Sequence, residues 1–191
     1  MQKRRIILAS RSPRRKKLLE QIGLEFEICE SNFDEASVTL ADPIELAKFL
    51  ALKKAEDVAR QYDDAIIIGA DSLVIFNGQT LGKPKDAADA KRILRELSGQ
   101  ENKGITGYAI IDAKNKIVIN SHSEAIVKFR DLSDEEINEY VATGEPLDNA
   151  GGYALMDRGS MLADFISGDF YSIIGLPISK VYVDLREMGV M

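Results

Sequence analysis

Apolar residues in this chain fall into short blocks whose period switches between about two and about 3.6, with polar caps and turns between them. Arg4 to Ala9, centred on Ile6-Ile7-Leu8, predicts a first strand. Ser12 then offers an N-cap and Pro13 a first helical residue, and Gly23 closes the helix about three turns later. Leu24 to Glu30 predicts a second strand, followed by a polar loop containing Asp34 and Glu35. Asp42-Pro43-Ile44-Glu45 reads as a cap, a proline and a capping box, opening a helix that reaches Gln61. Ala65 to Phe76, "AIIIGADSLVIF", predicts a buried strand, and Asn77-Gly78-Gln79-Thr80 turns the chain. Asp86 caps a further helix that ends at Ser98-Gly99. Strands are predicted at Lys103 to Asp112 and Lys116 to Arg130, joined by Ala113-Lys114-Asn115. Ser133 with Glu136 opens a short acidic helix ending at Gly144. Gly144 to Ser160 reads as a glycine-rich loop, and Pro177 to Glu187 as a final amphipathic helix. Early alternation of strand and helix, with a later hairpin, predicts a mixed α/β fold.

Three positions break this pattern. The helix after Asp42 carries an apolar stripe of Ile44, Ala47, Leu50, Ala51, Ala55 and Val58, and Lys54 lies close to its middle. An ammonium there either reaches an anion in a cleft or snorkels to water along its own stem. Asp71 interrupts an otherwise apolar strand, so its carboxylate must be paired, metal-bound or held at a shifted pKa, as catalytic carboxylates often are. The competing reading is a structural Asp at a bulge beside Gly69. In "LGKPKD", Pro84 forces Lys83 out of helical geometry. The glycine spacing of a Walker loop is missing, and an ordinary solvated turn also accounts for this stretch.

Composition narrows the chemistry. The chain has 191 residues with one cysteine, Cys29, and one histidine, His122. That excludes an internal disulfide and a cysteine-based metal cluster, and disfavours a histidine-based site or serine triad. Its longest apolar run, Ala65 to Ala70, is far short of a membrane span. Its basic N-terminus lacks the apolar core of a signal peptide, so a cytoplasmic protein is expected. Eight Lys or Arg and no acid occupy the first seventeen residues, although the whole chain carries a net charge of −6. So local a basic patch suits a small anion better than a nucleic acid. The strand leading through Ser10-Arg11-Ser12 into a helix N-terminus presents free backbone N–H groups suited to phosphate oxygens. Lys16 and Lys17 are assigned to solvating the outer helix face.

Seven stretches together resemble the Maf family of nucleoside triphosphate pyrophosphatases. They are "LASRSPRR", "GADSLV", "LGKPKD", "RELSG", "ITGYAI", "DLSDEEINEYVATGEPLDNAGGY" and "GDFYSIIGLP", in the expected order from about Ile7 to Leu185. The resemblance implies a single domain over 1–191: an α/β fold with a mixed twisted sheet and flanking helices, two lobes around a central cleft, related to the inosine triphosphatase fold. It implies metal-dependent hydrolysis, with Mg²⁺ or Mn²⁺, of a nucleoside triphosphate to the monophosphate and pyrophosphate. A homodimer is expected, with no nucleic-acid or membrane partner. Carried across, Ser10 and Arg14 match the positions that hold the phosphates, with Ser12 and Arg15 beside them. Lys54 and Lys83 match the lysines that stabilise charge on the leaving pyrophosphate. Asp71 matches the proton acceptor, and Glu35, with Asp71, the metal-binding carboxylates.

Departures from the family pattern fall at Asn102, where His is usual, at Ser72, where Thr or Gln is usual, and at Met156, where Gln or Glu is usual. Ser72 and Met156 match positions associated with nucleobase selection, so the resemblance assigns no nucleobase. A small Ser72 and an apolar Met156 predict a tolerant base pocket. A second reading, a nucleotide-binding regulator of division without turnover, has no need of a carboxylate such as Asp71 opposite a triphosphate.

Overall fold

A computed structural model describes residues 4–191. Seven strands are present, β1 (Ile6–Leu8), β2 (Glu27–Ile28), β3 (Ile66–Phe76), β4 (Gln79–Leu81), β5 (Glu101–Asp112), β6 (Ile117–Phe129) and β7 (Ala163–Gly168). Between and around them run α1 (Pro13–Gln21), α2 (Pro43–Ala59), α3 (Ala87–Leu97), α4 (Asp134–Ala142), α5 (Phe170–Ile174) and α6 (Ile178–Glu187). The sheet has the order β2-β1-β3-β5-β6-β7, with β4 paired to β3. It is mixed: β1 runs parallel to β2 and β3, whereas β3–β4 and β6–β7 are antiparallel.

The chain divides into two compact units. Among the described residues the first holds 4–72, 106–123 and 175–191, and the second 73–105 and 124–174. Strands β3, β5 and β6 therefore each contribute residues to both.

Most helix starts follow their local chemistry. Asp42 accepts from the backbone N–H of Ile44 and Glu45, and Asp86 from that of Asp89. Glu45 pairs with Lys48 at 2.9 Å, and Asp42 caps through its own side chain. At Ser133 a full reciprocal capping box forms with Glu136. Ser12 differs from expectation: it sits at the N-cap of α1, but its side chain makes no capping hydrogen bond. The turn at Asn77-Gly78 has φ of 49° and 77°, the left-handed pair that a tight hairpin demands.

Three elements were not expected from the pattern, the first being β4, which takes Gln79 and Thr80 out of the expected turn to pair with β3. Strand β7 follows the glycine-rich segment and pairs with β6 from Ala125–Gly168 to Phe129–Ala163. The five-residue α5 comes next. The second strand, expected over Leu24 to Glu30, shrinks to two exposed residues.

In the first unit Ile7, Ala9, Ala55, Val58, Ala65, Ile67, Ala109 and Ile111 make a continuous core between α2 and the sheet. Two glycines let that helix approach the strands closely. A Cβ on Gly69 would lie 2.5 Å from the Ala51 carbonyl oxygen, and one on Gly107 would overlap the Ala47 carbonyl. Gly69 therefore marks a close backbone approach, in regular strand, in place of the bulge considered above.

Candidate active site

The stripe on α2 buries Ala47, Leu50, Ala51, Ala55 and Val58. Lys54, on the same side, is only 12% exposed at its side chain. Its Nζ donates to Asp71 Oδ1 at 2.6 Å and lies 2.9 Å from Glu35 Oε1. The sequence left two readings of Lys54, and the geometry selects the one in which it meets an anion. Asp71 sits on β3, directly after the residues that pack on α2, and its side chain is 10% exposed. Burial raises its carboxyl above the usual range, and the charges of Lys54 and Arg15 oppose that rise. Glu35 opens a short 3-10 turn, Glu35–Ser37, and its side chain is half exposed.

The basic N-terminal cluster separates into distinct environments. Arg11 is almost fully exposed and pairs with Glu30 at 2.8 Å. Lys16 reaches Glu20 on the outer face of α1 and Lys17 is exposed. Arg14 is half-buried on the first turn of α1. Arg15 turns inward: its Nε donates to the Gly175 carbonyl at 2.8 Å, Nη1 to Ser10 Oγ at 3.1 Å and Nη2 to Ser72 Oγ at 3.2 Å. Burial pushes the Arg15 guanidinium below its usual pKa, and the charge of Asp71 partly restores it. Ser10 Oγ also accepts from the Ser12 backbone N–H at 3.2 Å. Ser72 Oγ is hydrogen-bonded to Thr106 Oγ1 at 2.7 Å.

The first unit thus brings together Ser10, Ser12, Arg15, Ser72, Lys54, Asp71 and Glu35. Thr106 and Gly175 join them; both lie in stretches that carry the family resemblance, "ITGYAI" and "GDFYSIIGLP", but neither had been given a role. A threonine on a strand and a glycine after a short helix are ordinary in sequence, and only the tertiary path brings both to Arg15.

Two carboxylate oxygens, on Glu35 and Asp71, converge on the single Lys54 ammonium. Such a pair fits a hard divalent ion of the Mg²⁺ type, which uses one or two carboxylates and takes its other ligands from water and phosphate. No group of three or more His, Cys, Asp or Glu side chains suited to a metal occurs among the described residues.

Lys83 and Met156 belong to the second unit. Lys83 is exposed, between Gly82, whose carbonyl accepts from the Gly151 N–H at 3.0 Å, and the buried Pro84. It lines a cavity of about 550 Å³ with Asn77, Thr80, Lys85 and Arg92. The segment read as a glycine-rich loop is a series of 3-10 turns held by Glu145. That carboxylate accepts from Tyr140 Oη at 2.6 Å, from the Gly159 N–H at 3.0 Å and from the Arg158 N–H at 3.2 Å. Met156 is half-buried and Asp157 exposed on the stretch so pinned. Asn102, in place of the usual His, is buried: its Nδ2 donates to the Val127 carbonyl, and its Oδ1 accepts from Tyr153 Oη at 2.6 Å.

Comparison with known proteins bears on the family of the chain. A family model described as "Maf-like protein" matches residues 5–188. The dTTP/UTP pyrophosphatase of Dictyoglomus turgidum is 44% identical over 188 residues, 98% of this chain and 97% of that protein. The dTTP/UTP pyrophosphatase of Symbiobacterium thermophilum is 42% identical over 184 residues, 96% of this chain and 94% of that one. Among solved structures, a HAM1 protein from Coxiella burnetii superposes with a TM-score of 0.53 at 15% identity, covering 97% of this chain and 100% of its own, a likeness of fold alone. With the match running almost end to end, the chain belongs to the Maf-like protein family.

Proposed function

We propose that this protein is a nucleoside triphosphate pyrophosphatase, cleaving between the α- and β-phosphates to give a nucleoside monophosphate and pyrophosphate. The carrying observation is the buried Lys54–Asp71 pair with Glu35 at its edge, in the same unit as Ser10 and Arg15. Its likeness to two dTTP/UTP pyrophosphatases over nearly the whole chain supports the reading and makes the pyrimidine triphosphates UTP and dTTP the first substrates to test.

Phosphoryl chemistry depends on positioning and charge neutralisation more than on covalent participation by the protein. Ser10 and Arg14, where the chain enters α1, receive phosphate oxygens, aided by the positive end of the helix dipole. Asp71 orients a water and takes its proton as the oxygen attacks the α-phosphorus. The bond to the bridging oxygen then breaks and pyrophosphate leaves. A carboxyl raised by burial is a stronger base toward that water than an exposed one. Lys54 opposes the charge that grows on the leaving group, and the resemblance assigns Lys83 the same role. Glu35 and Asp71 would hold a Mg²⁺ or Mn²⁺ ion, which would supply further charge neutralisation on the phosphates.

The proposal extends to a cytoplasmic homodimer acting on the free nucleotide pool. No helix among the described residues is long and apolar enough to cross a membrane. The test is direct: purified protein is incubated with each NTP and dNTP plus Mg²⁺, and the released products are identified. Pyrophosphate and monophosphate in equal amounts are expected. Orthophosphate with a nucleoside diphosphate places the cut at the γ-phosphate and overturns the mechanism. Tight nucleotide binding with no product would favour the regulator.

A further inference from the structure

Arg15 is a half-buried residue whose guanidinium makes no ion pair among the described residues. It is held by three neutral oxygens: the Gly175 carbonyl, Ser10 Oγ and Ser72 Oγ. A desolvated charge without a partner anion is costly, and the fold distributes that cost over fixed acceptors. Gly175 has φ of 124°, a backbone state that favours glycine, and its carbonyl fixes the Nε end of the guanidinium plane. Thr106 Oγ1, fully buried, braces Ser72 at the other end.

The consequence falls on Ser10. A serine hydroxyl has two acceptor lone pairs and one proton to donate. Both acceptor positions of Ser10 are filled, one by Arg15 Nη1 and one by the Ser12 backbone N–H. What remains is the O–H, which can only donate. An N–H donated from a cation to the same oxygen polarises that O–H and strengthens it as a donor. A phosphate oxygen is an acceptor of the matching kind.

We infer that Arg15, anchored on Gly175 and braced through Ser72 by Thr106, is a positioning residue that acts on the nucleotide through Ser10, committing the Ser10 hydroxyl to donate to a phosphate oxygen. The inference rests on the nucleotide reading above and adds to it a division of labour: Arg14 and Ser10 touch the phosphate, and Arg15 does not.

A double-mutant cycle tests this by equilibrium binding, without turnover. Wild type, Ser10→Ala, Arg15→Met and the double variant are titrated calorimetrically with α,β-methylene-UTP and Mg²⁺, after a thermal melt establishes that each is folded. Each single change is expected to weaken binding by about 10- to 100-fold, as for a lost hydrogen bond to a charged group. The double variant is expected to bind no more weakly than the weaker single variant, because Arg15 has no other route to the ligand. If the two losses multiply, Arg15 acts independently of Ser10 and the inference is overturned. Should Arg15→Met not fold, Arg15→Lys replaces it in the cycle: it keeps the charge but cannot hold three divergent oxygens. Wild-type affinity in Arg15→Lys would show that charge alone suffices and would equally overturn the inference. A wild-type protein that binds no nucleotide removes the functional reading and this inference together, whereas binding with multiplied losses removes this inference alone.

Discussion

Lys54 Nζ and Asp71 Oδ1 lie 2.6 Å apart, one within a helical stripe and the other on the strand beneath it, with side chains 12% and 10% exposed. Removing one member of such a pair leaves the other charged and poorly solvated. The two residues nevertheless have different tasks, which substitution separates.

Asp71→Asn is expected to lower kcat by at least about 100-fold, the low end for loss of a general base, while nucleotide binding survives. Lys54→Glu is expected to nearly abolish turnover, since it sets a third carboxylate beside Asp71 and Glu35. Lys17→Glu, on the outer face of α1, is expected to be mild. Pyrophosphate release under saturating nucleotide checks all three. Near-normal turnover in Asp71→Asn would move the base elsewhere, with Glu35 next in line.

Chelation should abolish activity, and Mg²⁺ or Mn²⁺ should restore it. In Glu35→Gln the metal concentration for half-maximal rate is expected to rise by about tenfold or more. A metal titration at fixed nucleotide measures this, and an unchanged midpoint would take Glu35 out of the metal site.

Stability at low pH should depend on Asp112. Its carboxylate accepts from Arg4 Nη1 and Nη2 at 3.0 Å each and from Asn115 N and Nδ2 at 2.9 and 2.8 Å. The Arg4 guanidinium holds the Asp112 carboxyl well below the usual range, and Asn115 adds to the effect against the cost of burial. The folded state therefore binds this proton less readily than the unfolded chain. The stabilisation is fully present above the unfolded value of about 3.9 and is lost as pH falls toward the folded one. Asp112→Asn is expected to cost about 3 kcal/mol at neutral pH and to flatten the fall in Tm below pH ~4. Calorimetric melts of both proteins from acid to neutral pH give the comparison.

Base preference should be broad in rate and adjustable at one position. A pocket that reads a base through apolar contact discriminates by only about 10- to 200-fold, against about 10⁴ or more for one that reads it by hydrogen bonds. The resemblance gives base selection to the positions of Met156 and Ser72, and with an apolar and a small residue there kcat/KM across the NTPs should spread over less than about 10³-fold. Met156→Gln should sharpen the preference toward UTP and dTTP. A wild-type profile confined to one base, unchanged by Met156→Gln, would assign selection to Asp157 or Arg158.

Much of the architecture could be read from local chemistry because local chemistry decides it. Asp42, Asp86 and Ser133 each cap from their own side chain, and Asn77-Gly78 can hardly do other than turn. Strand β7 could not be read this way: most of its residues are exposed, and what holds it is pairing with the far end of β6. Lys54 and Asp71 were legible because each violates the pattern around it, and burial without a partner is too costly to be accidental. Glu35 came only from the family resemblance, as nothing in a polar loop distinguishes one acid from another. The role of Ser12 was misjudged for an instructive reason: its hydroxyl makes no cap, and its backbone N–H goes to Ser10 instead.

The two glycines beneath α2 bear on how this protein can change. Where a helix rests on side chains, its height above the sheet follows every substitution in the layer between. Here Gly69 and Gly107 bring backbone against backbone, at Ala51 and Ala47, within two turns of Lys54. The spacing of helix and sheet at the site is thereby set by two missing methyl groups. Neighbouring core residues such as Leu50 and Val58 can be exchanged to suit a hotter or colder habitat while the ammonium stays over its carboxylate.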